Sequence, residues 1–160
     1  MPKKKKIVKK TISKKKRNRI KTGVINLDQT IQGGIKENSI SLVVGSAGSG
    51  KTIFAFQFLL EGLKRGDSCL YITFEEKKDK LYDDMSEFKW DFAKYEKSNK
   101  FFYLEYSPEQ VKSLIEEGGG SVDQIVVKNN IKRVVIDSVT SFSLLYNDEL
   151  ATELYYWIWN

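Results

Sequence analysis

Apolar residues along the chain fall into short continuous runs, separated by longer stretches with helical periodicity. The runs predict strands at residues 39–44, 69–74, 101–106 and 133–137. The periodic stretches predict helices at about residues 26–31, 51–64, 76–88, 91–97, 109–117, 121–130 and from 148 onward. Continuous apolar strands are typical of a sheet buried on both faces. Because these strands alternate with helices, the sequence predicts an α/β fold with a mostly parallel sheet flanked by helices.

The charge distribution divides the chain of 160 residues in two. Residues 1–21 hold 12 basic residues and no acidic one, whereas the rest holds 15 basic and 21 acidic residues. So dense a run of like charge favours a disordered basic tail over residues 1–20, followed by one domain over residues 21–160. Two roles stay open for the tail: a solvated extension, or a non-specific, salt-sensitive contact with nucleic acid.

Composition excludes several classes of protein. The chain has no histidine and only one cysteine, Cys69, so histidine bases, zinc sites and disulfide frameworks are excluded. The apolar runs are too short to span a membrane, and the basic N-terminus lacks the apolar segment of a secretory signal. We therefore expect a cytoplasmic protein without a membrane span.

A glycine-rich segment between the first predicted strand and the next helix matches the phosphate-binding pattern G-x-x-x-x-G-K-[ST]. Its residues are Gly45, Ser46, Ala47, Gly48, Ser49, Gly50, Lys51 and Thr52. Glycines allow backbone N–H groups to turn toward phosphate oxygens, and the helix N-terminus adds partial positive charge. In this pattern the lysine reaches the β and γ phosphates and the threonine hydroxyl binds Mg²⁺. The segment predicts a site for ATP and Mg²⁺.

Carboxylates follow two other predicted strands. Asp137 ends the strand at 133–137, where it can hold Mg²⁺ opposite Thr52. Glu75 and Glu76 follow the strand at 69–74, where one of them can activate the attacking water; the alternative is that both favour a helix start. Because parallel strands end at one edge of a sheet, we expect these groups to meet at the glycine loop.

Taken in order, these motifs resemble the RecA superfamily of ATPases, and most closely its KaiC-like branch. The resemblance extends over about residues 21–159. It is carried by Thr22-Gly23, Leu27-Asp28 and Gly33-Gly34-Ile35, by GSAGSGKT, by YITFEE, by Lys89-Trp90-Asp91 and by VVIDSVTSF. Lys89 replaces a glycine that is common in the family.

The resemblance implies a role for each of the predicted site residues. It implies that Lys51 and Thr52 bind phosphate and Mg²⁺, that Asp137 holds the metal, and that Glu75 rather than Glu76 is the catalytic base. It also implies a homo-oligomer, a hexameric ring or filament with ATP between subunits. ATP binding with hydrolysis is the leading hypothesis. A switch or scaffold that binds ATP without turnover, and a recombinase-like ATPase that handles DNA, are the alternatives.

The final residues predict an incomplete domain whose C-terminal strands are missing. Leu150, Leu154, Trp157 and Ile158 would form one apolar helix face that nothing in the chain covers. In the family that the chain resembles, a further strand separates the strand at 133–137 from the one at 39–44. We therefore expect these two strands either to pair directly or to leave a gap. Either outcome would displace Asp137 relative to Thr52 and weaken Mg²⁺ coordination, so we expect poor stability, self-association and low ATPase activity of this chain.

Overall fold

The structure, a computed structural model, describes residues 18–107, 110, 113 and 120–139. Most of the predicted basic tail, most of the helix predicted at 109–117 and the helix predicted from 148 lie outside these residues. In the described part, no helix is long and apolar enough to cross a membrane.

The described elements confirm the alternation of strands and helices. Their bounds are β1 Arg19–Ile20, α1 Leu27–Thr30, β2 Ile35–Lys36, α2 Lys51–Lys64, β3 Ser68–Thr73, α3 Lys78–Glu87, α4 Ala93–Lys97, β4 Phe101–Glu105, α5 Gly120–Lys128 and β5 Ile131–Asp137. The strands predicted at 69–74, 101–106 and 133–137 thus form with small shifts at their ends. The short antiparallel pair of β1 with β2 is not predicted by the apolar pattern.

The main described sheet is parallel, with β3 between β4 and β5. Thr73, the last residue of β3, pairs with Glu105 on one side and with Asp137 on the other. The carboxyl ends of all three strands therefore lie at one edge, which is where open α/β sheets bind ligands.

Both faces of the sheet are covered, because side chains along each strand alternate between two apolar clusters. On one face, α2, α3 and α4 pack over β3 and β4; the buried residues are Phe56, Leu59, Leu60, Leu63, Cys69, Tyr71, Leu81, Met85, Phe92 and Phe101. On the other face, Val122 of α5 packs with Leu70 and Ile72 of β3. Every residue of β3 is buried, as its continuous apolar run predicts.

The prediction of a strand at 39–44 is wrong for this structure. The segment forms neither strand nor helix, and Ile40, Leu42, Val43 and Val44 are all exposed. A strand needs a neighbour for its backbone hydrogen bonds. β5 pairs with β3 along one side, and no strand in the described part pairs along its other side. Of the two expected outcomes, the structure therefore shows the gap rather than direct pairing.

The segment before the glycine loop is tied to α2 by polar contacts. The Asp28 carboxylate accepts hydrogen bonds from the Thr22 backbone N–H and hydroxyl, both at 2.9 Å. Burial raises the pKa of Asp28, but the hydrogen bonds from Thr22, the positive charge of Lys21 and the backbone of Gly23 together bring the pKa below its ordinary value. Gln57 of α2 donates to the carbonyl of Gly23 at 2.7 Å. Through Gln57, these contacts hold α2 against the segment that precedes the glycine loop.

Arg133 of β5 joins three parts of the fold from a buried position. Its guanidinium contacts the Asp67 carboxylate at 2.9 Å and donates to the backbone carbonyls of Lys21 and Phe58 at 2.6 and 2.9 Å. A side chain at Gly62 would collide with this guanidinium, so α2 requires a glycine there. A buried charge is stable only with such partners. Arg133 thereby holds α2 against β5, the two elements that carry Thr52 and Asp137.

Candidate functional site

The glycine loop has the backbone geometry that its sequence predicts. Gly48 and Gly50 adopt φ values of 74° and 86°, in the left-handed region that favours glycine. A Cβ at Gly45 would collide with the Ser49 hydroxyl across the loop. Helix α2 begins directly after the loop, so its first N–H groups have no acceptor within the helix. This arrangement provides N–H donors and a partial positive charge for an anion.

Lys51 keeps its ammonium group against the loop. Its Nζ donates to the carbonyls of Gly45 and Ser46 at 3.0 and 2.9 Å. The positive charge is therefore held beside the loop glycines by the loop's own backbone.

Thr52 and Asp137 are brought together although 85 positions separate them in the sequence. The Thr52 hydroxyl donates to Oδ2 of Asp137 at 2.8 Å. Thr52 lies in the first turn of α2 and Asp137 is the last residue of β5. The contact depends on how α2 packs across the end of the sheet. The expected displacement of Asp137 from Thr52 is therefore wrong for this structure, because α2 keeps the two side chains in contact although β5 has no strand on its other side in the described part.

Tyr71 of β3 is a second partner of the Asp137 carboxylate. Its hydroxyl donates to the same Oδ2 atom at 2.9 Å. Burial, followed by the negative charge of Asp137, raises the pKa of Tyr71, so the hydroxyl stays protonated and remains a donor. The ring stacks on Tyr103 with 5.6 Å between centroids, and the Tyr103 hydroxyl donates to the backbone carbonyl of Glu76 at 2.7 Å.

Glu75 and Glu76 begin a turn that Thr73 organises. The buried Thr73 hydroxyl accepts from the N–H groups of Glu75 and Glu76 at 3.3 and 3.2 Å. The Ser138 hydroxyl donates to Oε1 of Glu75 at 3.2 Å. Because Ser138 follows Asp137, this bond joins Glu75 to the end of β5. Glu76 instead points its carboxylate at Lys80 of α3, 3.6 Å away.

The structure therefore brings most of the predicted residues to one edge of the sheet. A direct hydrogen bond joins Thr52 to Asp137, and Glu75 is hydrogen-bonded to Ser138, the residue after Asp137. The Glu76 carboxylate faces α3 instead. Sequence reasoning missed Tyr71 and Thr73. The period of two along β3 is a sequence signal that puts both residues on one face of the sheet. That Asp137 lies on the same face depends on the pairing of β3 with β5, which the sequence does not show.

The residues present fit a magnesium ion. Mg²⁺ prefers hard oxygen ligands and uses few protein groups, completing its shell with water and phosphate oxygens. The adjacent oxygens of Thr52 and Asp137 are of that kind. No group of three or more His, Cys, Asp or Glu suited to a metal occurs among the described residues, and a site of this type does not require one.

Comparison with known proteins assigns the chain to a family. A family model described as the KaiC ATPase matches residues 20–155. The chain belongs to this family. Membership confirms the RecA-like α/β fold expected from the sequence, and it supports nucleotide binding at the level of the family.

Several known proteins are similar to this chain over part of their length. A UPF0273 protein of Pyrococcus horikoshii is 37% identical, over 77% of this chain and 55% of that protein. The circadian clock protein KaiC3 of Synechocystis is 33% identical, over 76% of this chain and 25% of that protein. A KaiC-like protein of Pyrococcus horikoshii, solved by crystallography, superposes with a TM-score of 0.76 at 33% identity, over 88% of this chain and 63% of the solved one. The chain spans about half the length of the UPF0273 relatives.

Proposed function

We propose that this chain binds ATP together with Mg²⁺ and hydrolyses it. The observation that carries the proposal is the 2.8 Å hydrogen bond from Thr52 to Asp137 beside the glycine loop. This contact supports the proposal because the hydroxyl and the carboxylate are oxygen ligands of the kind that a magnesium ion would use, and the glycine loop that precedes Thr52 has N–H donors suited to a triphosphate. Membership of the KaiC ATPase family supports the same function.

Each group has a distinct part in this proposal. The loop N–H groups and Lys51 bind the phosphates, and Thr52 with Asp137 holds the metal, which when bound would neutralise charge on the β and γ phosphates. Glu75 orients the water and accepts its proton, and Ser138 keeps its carboxylate beside the end of β5. Glu76 is the weaker candidate for the base, because its carboxylate faces Lys80.

Family membership also motivates a proposal about assembly. We infer a homo-oligomer, a ring or filament with ATP between subunits. The cytoplasmic location and the contact of the basic tail with nucleic acid stay predictions from the sequence.

The test is nucleotide binding by Lys51→Ala, measured with a fluorescent ATP analogue in the presence of Mg²⁺. We expect affinity to fall by roughly a hundredfold or more, on the scale of losing a charge-assisted contact to phosphate. The matched control is Lys64→Ala at the far end of α2, which should bind like the wild type. Equal affinity in Lys51→Ala and the wild type would refute the site. Phosphate release by the wild type, with and without single-stranded DNA, then separates hydrolysis from a non-hydrolysing switch and from a DNA-dependent ATPase.

A further inference from the structure

Tyr71 makes a polar contact that packing of the core does not require. Its side chain is fully buried, with 0% exposure. The ring packs against Phe56 of α2, 4.6 Å between centroids, and stacks on Tyr103. A phenylalanine would make the same ring contacts. The hydroxyl therefore needs a separate explanation, because a buried polar group without a partner is destabilising.

The partner of that hydroxyl is the carboxylate proposed to hold the metal. Oδ2 of Asp137 accepts from Tyr71 at 2.9 Å and from Thr52 at 2.8 Å. The two donors approach from different elements, β3 and α2, and together they define the position of one oxygen atom. A carboxylate rotates readily about its last side-chain bond, since that torsion has broad minima. With Thr52 alone, itself a rotatable hydroxyl, the orientation of the carboxylate would be less restricted.

We propose that Tyr71 is a positioning residue for the metal site: its hydroxyl fixes the rotation of the Asp137 carboxylate and thereby sets the affinity for Mg²⁺. The inference rests on the proposed function and adds a residue outside the glycine loop and the strand-end carboxylates. Removing a group that hydrogen-bonds to a metal ligand and orients it commonly lowers the affinity for the metal by about 10- to 100-fold.

The test is Tyr71→Phe, which keeps the ring and removes the donor. Binding of a fluorescent ATP analogue is followed while Mg²⁺ is titrated, and again in excess chelator. We expect the Mg²⁺ concentration for half-maximal enhancement of binding to rise about tenfold. Affinity in chelator should stay unchanged, because the glycine loop and Lys51 remain intact. An equal fall of affinity with Mg²⁺ and in chelator would indicate a general packing defect, and it would refute the positioning role.

Tyr103→Phe is the matched control. It removes a hydroxyl from the neighbouring stacked ring, whose partner is the backbone of Glu76 rather than Asp137. Its Mg²⁺ titration should coincide with that of the wild type. Incorporation of 4-aminophenylalanine at position 71 restores a donor at the same place on the ring, and it should restore the wild-type titration. Should Tyr71→Phe fail to fold, 4-fluorophenylalanine at this position fills the space of the hydroxyl without donating.

The outcomes separate this inference from the function on which it rests. If the wild type binds the analogue with a clear Mg²⁺ dependence and the donor-free variant has the same titration, the role of Tyr71 is refuted and the function stands. Equal shifts in Tyr71→Phe and Tyr103→Phe, or no rescue by 4-aminophenylalanine, also refute it. If the wild type shows no Mg²⁺-dependent binding, the proposed function itself fails.

Discussion

Cys69, the single cysteine, has a thiol that the fold protects. It lies in β3 with 0% exposure, and its thiol is 3.6 Å from the carbonyl of Leu59. Burial raises the pKa of the Cys69 thiol to about 12. Only the thiolate is reactive, so we predict that a thiol reagent at pH 8 labels the native chain roughly a thousandfold more slowly than an ordinary cysteine. Rapid labelling of the native chain, at the rate seen in denaturant, would contradict this.

The raised pKa of Cys69 also makes the stability of the fold depend on pH at high pH. The folded thiol keeps its proton in a range where the unfolded thiol loses it, so the unfolded state binds fewer protons. The free energy of unfolding should therefore fall as pH rises above the ordinary thiol pKa of about 8.5. Cys69→Ala should reduce that slope, as measured by denaturant unfolding at a series of pH values.

Glu75 is predicted to be the residue that activates water. Glu75→Gln keeps the shape of the side chain but removes its basicity, so hydrolysis should fall by about 10²- to 10⁴-fold while the affinity for ATP is retained. Phosphate release and analogue binding are measured on the same preparation. Glu76→Gln is made in parallel because it tests the competing assignment. Hydrolysis that survives in Glu75→Gln and is lost in Glu76→Gln would transfer the role to Glu76.

At the scale of elements, α3 ends in a Schellman motif with an unusual residue at its left-handed position. Trp90 N–H bonds to the carbonyl of Met85 at 3.2 Å, and Lys89 N–H bonds to that of Ser86 at 2.8 Å. Lys89 adopts a φ of 58°, a conformation that favours glycine. Lys89 is also the residue that takes the place of glycine in the Gly-Trp-Asp segment that this part of the sequence resembles.

We predict that Lys89→Gly stabilises the chain by about 1 kcal/mol, the scale of the steric cost that a Cβ carries in this conformation. The measurement is the urea midpoint at constant slope. Lys89→Ala is the control, since it removes the charge and keeps the Cβ, and it should bring no gain. A gain of equal size in both variants would assign the effect to charge rather than to backbone conformation.

At the scale of the whole molecule, residues 39–44 expose an apolar segment beside the glycine loop. Leu42 is 70% exposed and Val44 is 83% exposed. Contiguous exposed apolar residues favour association. We predict that the chain self-associates with increasing concentration, and that the double variant Leu42→Thr/Val44→Thr shifts it toward the monomer in sedimentation velocity. Val127→Thr on α5, where the valine is 80% exposed, is the control and should have little effect. Identical association in the double variant and the wild type would contradict this.

The sequence alone determined the parts of the protein that depend on local pattern. The glycine loop was recognisable because phosphate binding demands glycines, a lysine and a hydroxyl at fixed spacing along a continuous segment. The burial of β3 on both faces followed from its continuous apolar run. The placement of Glu75 and Asp137 at one edge followed from the rule that parallel strands share their direction, and pairing of both β4 and β5 with β3 confirms that geometry.

Only the tertiary structure decided which side chains complete the site and which predicted strand forms. The hydrogen bond from Tyr71 to Asp137 depends on the pairing register of two strands and on packing under α2, neither of which is encoded in a local motif. The structure distinguishes Glu76 from Glu75, because the Glu76 carboxylate faces Lys80 in the first turn of α3. Residues 39–44 have the composition of a strand, but a strand exists only where a neighbour supplies its hydrogen bonds, and that is a property of the assembled sheet rather than of the segment.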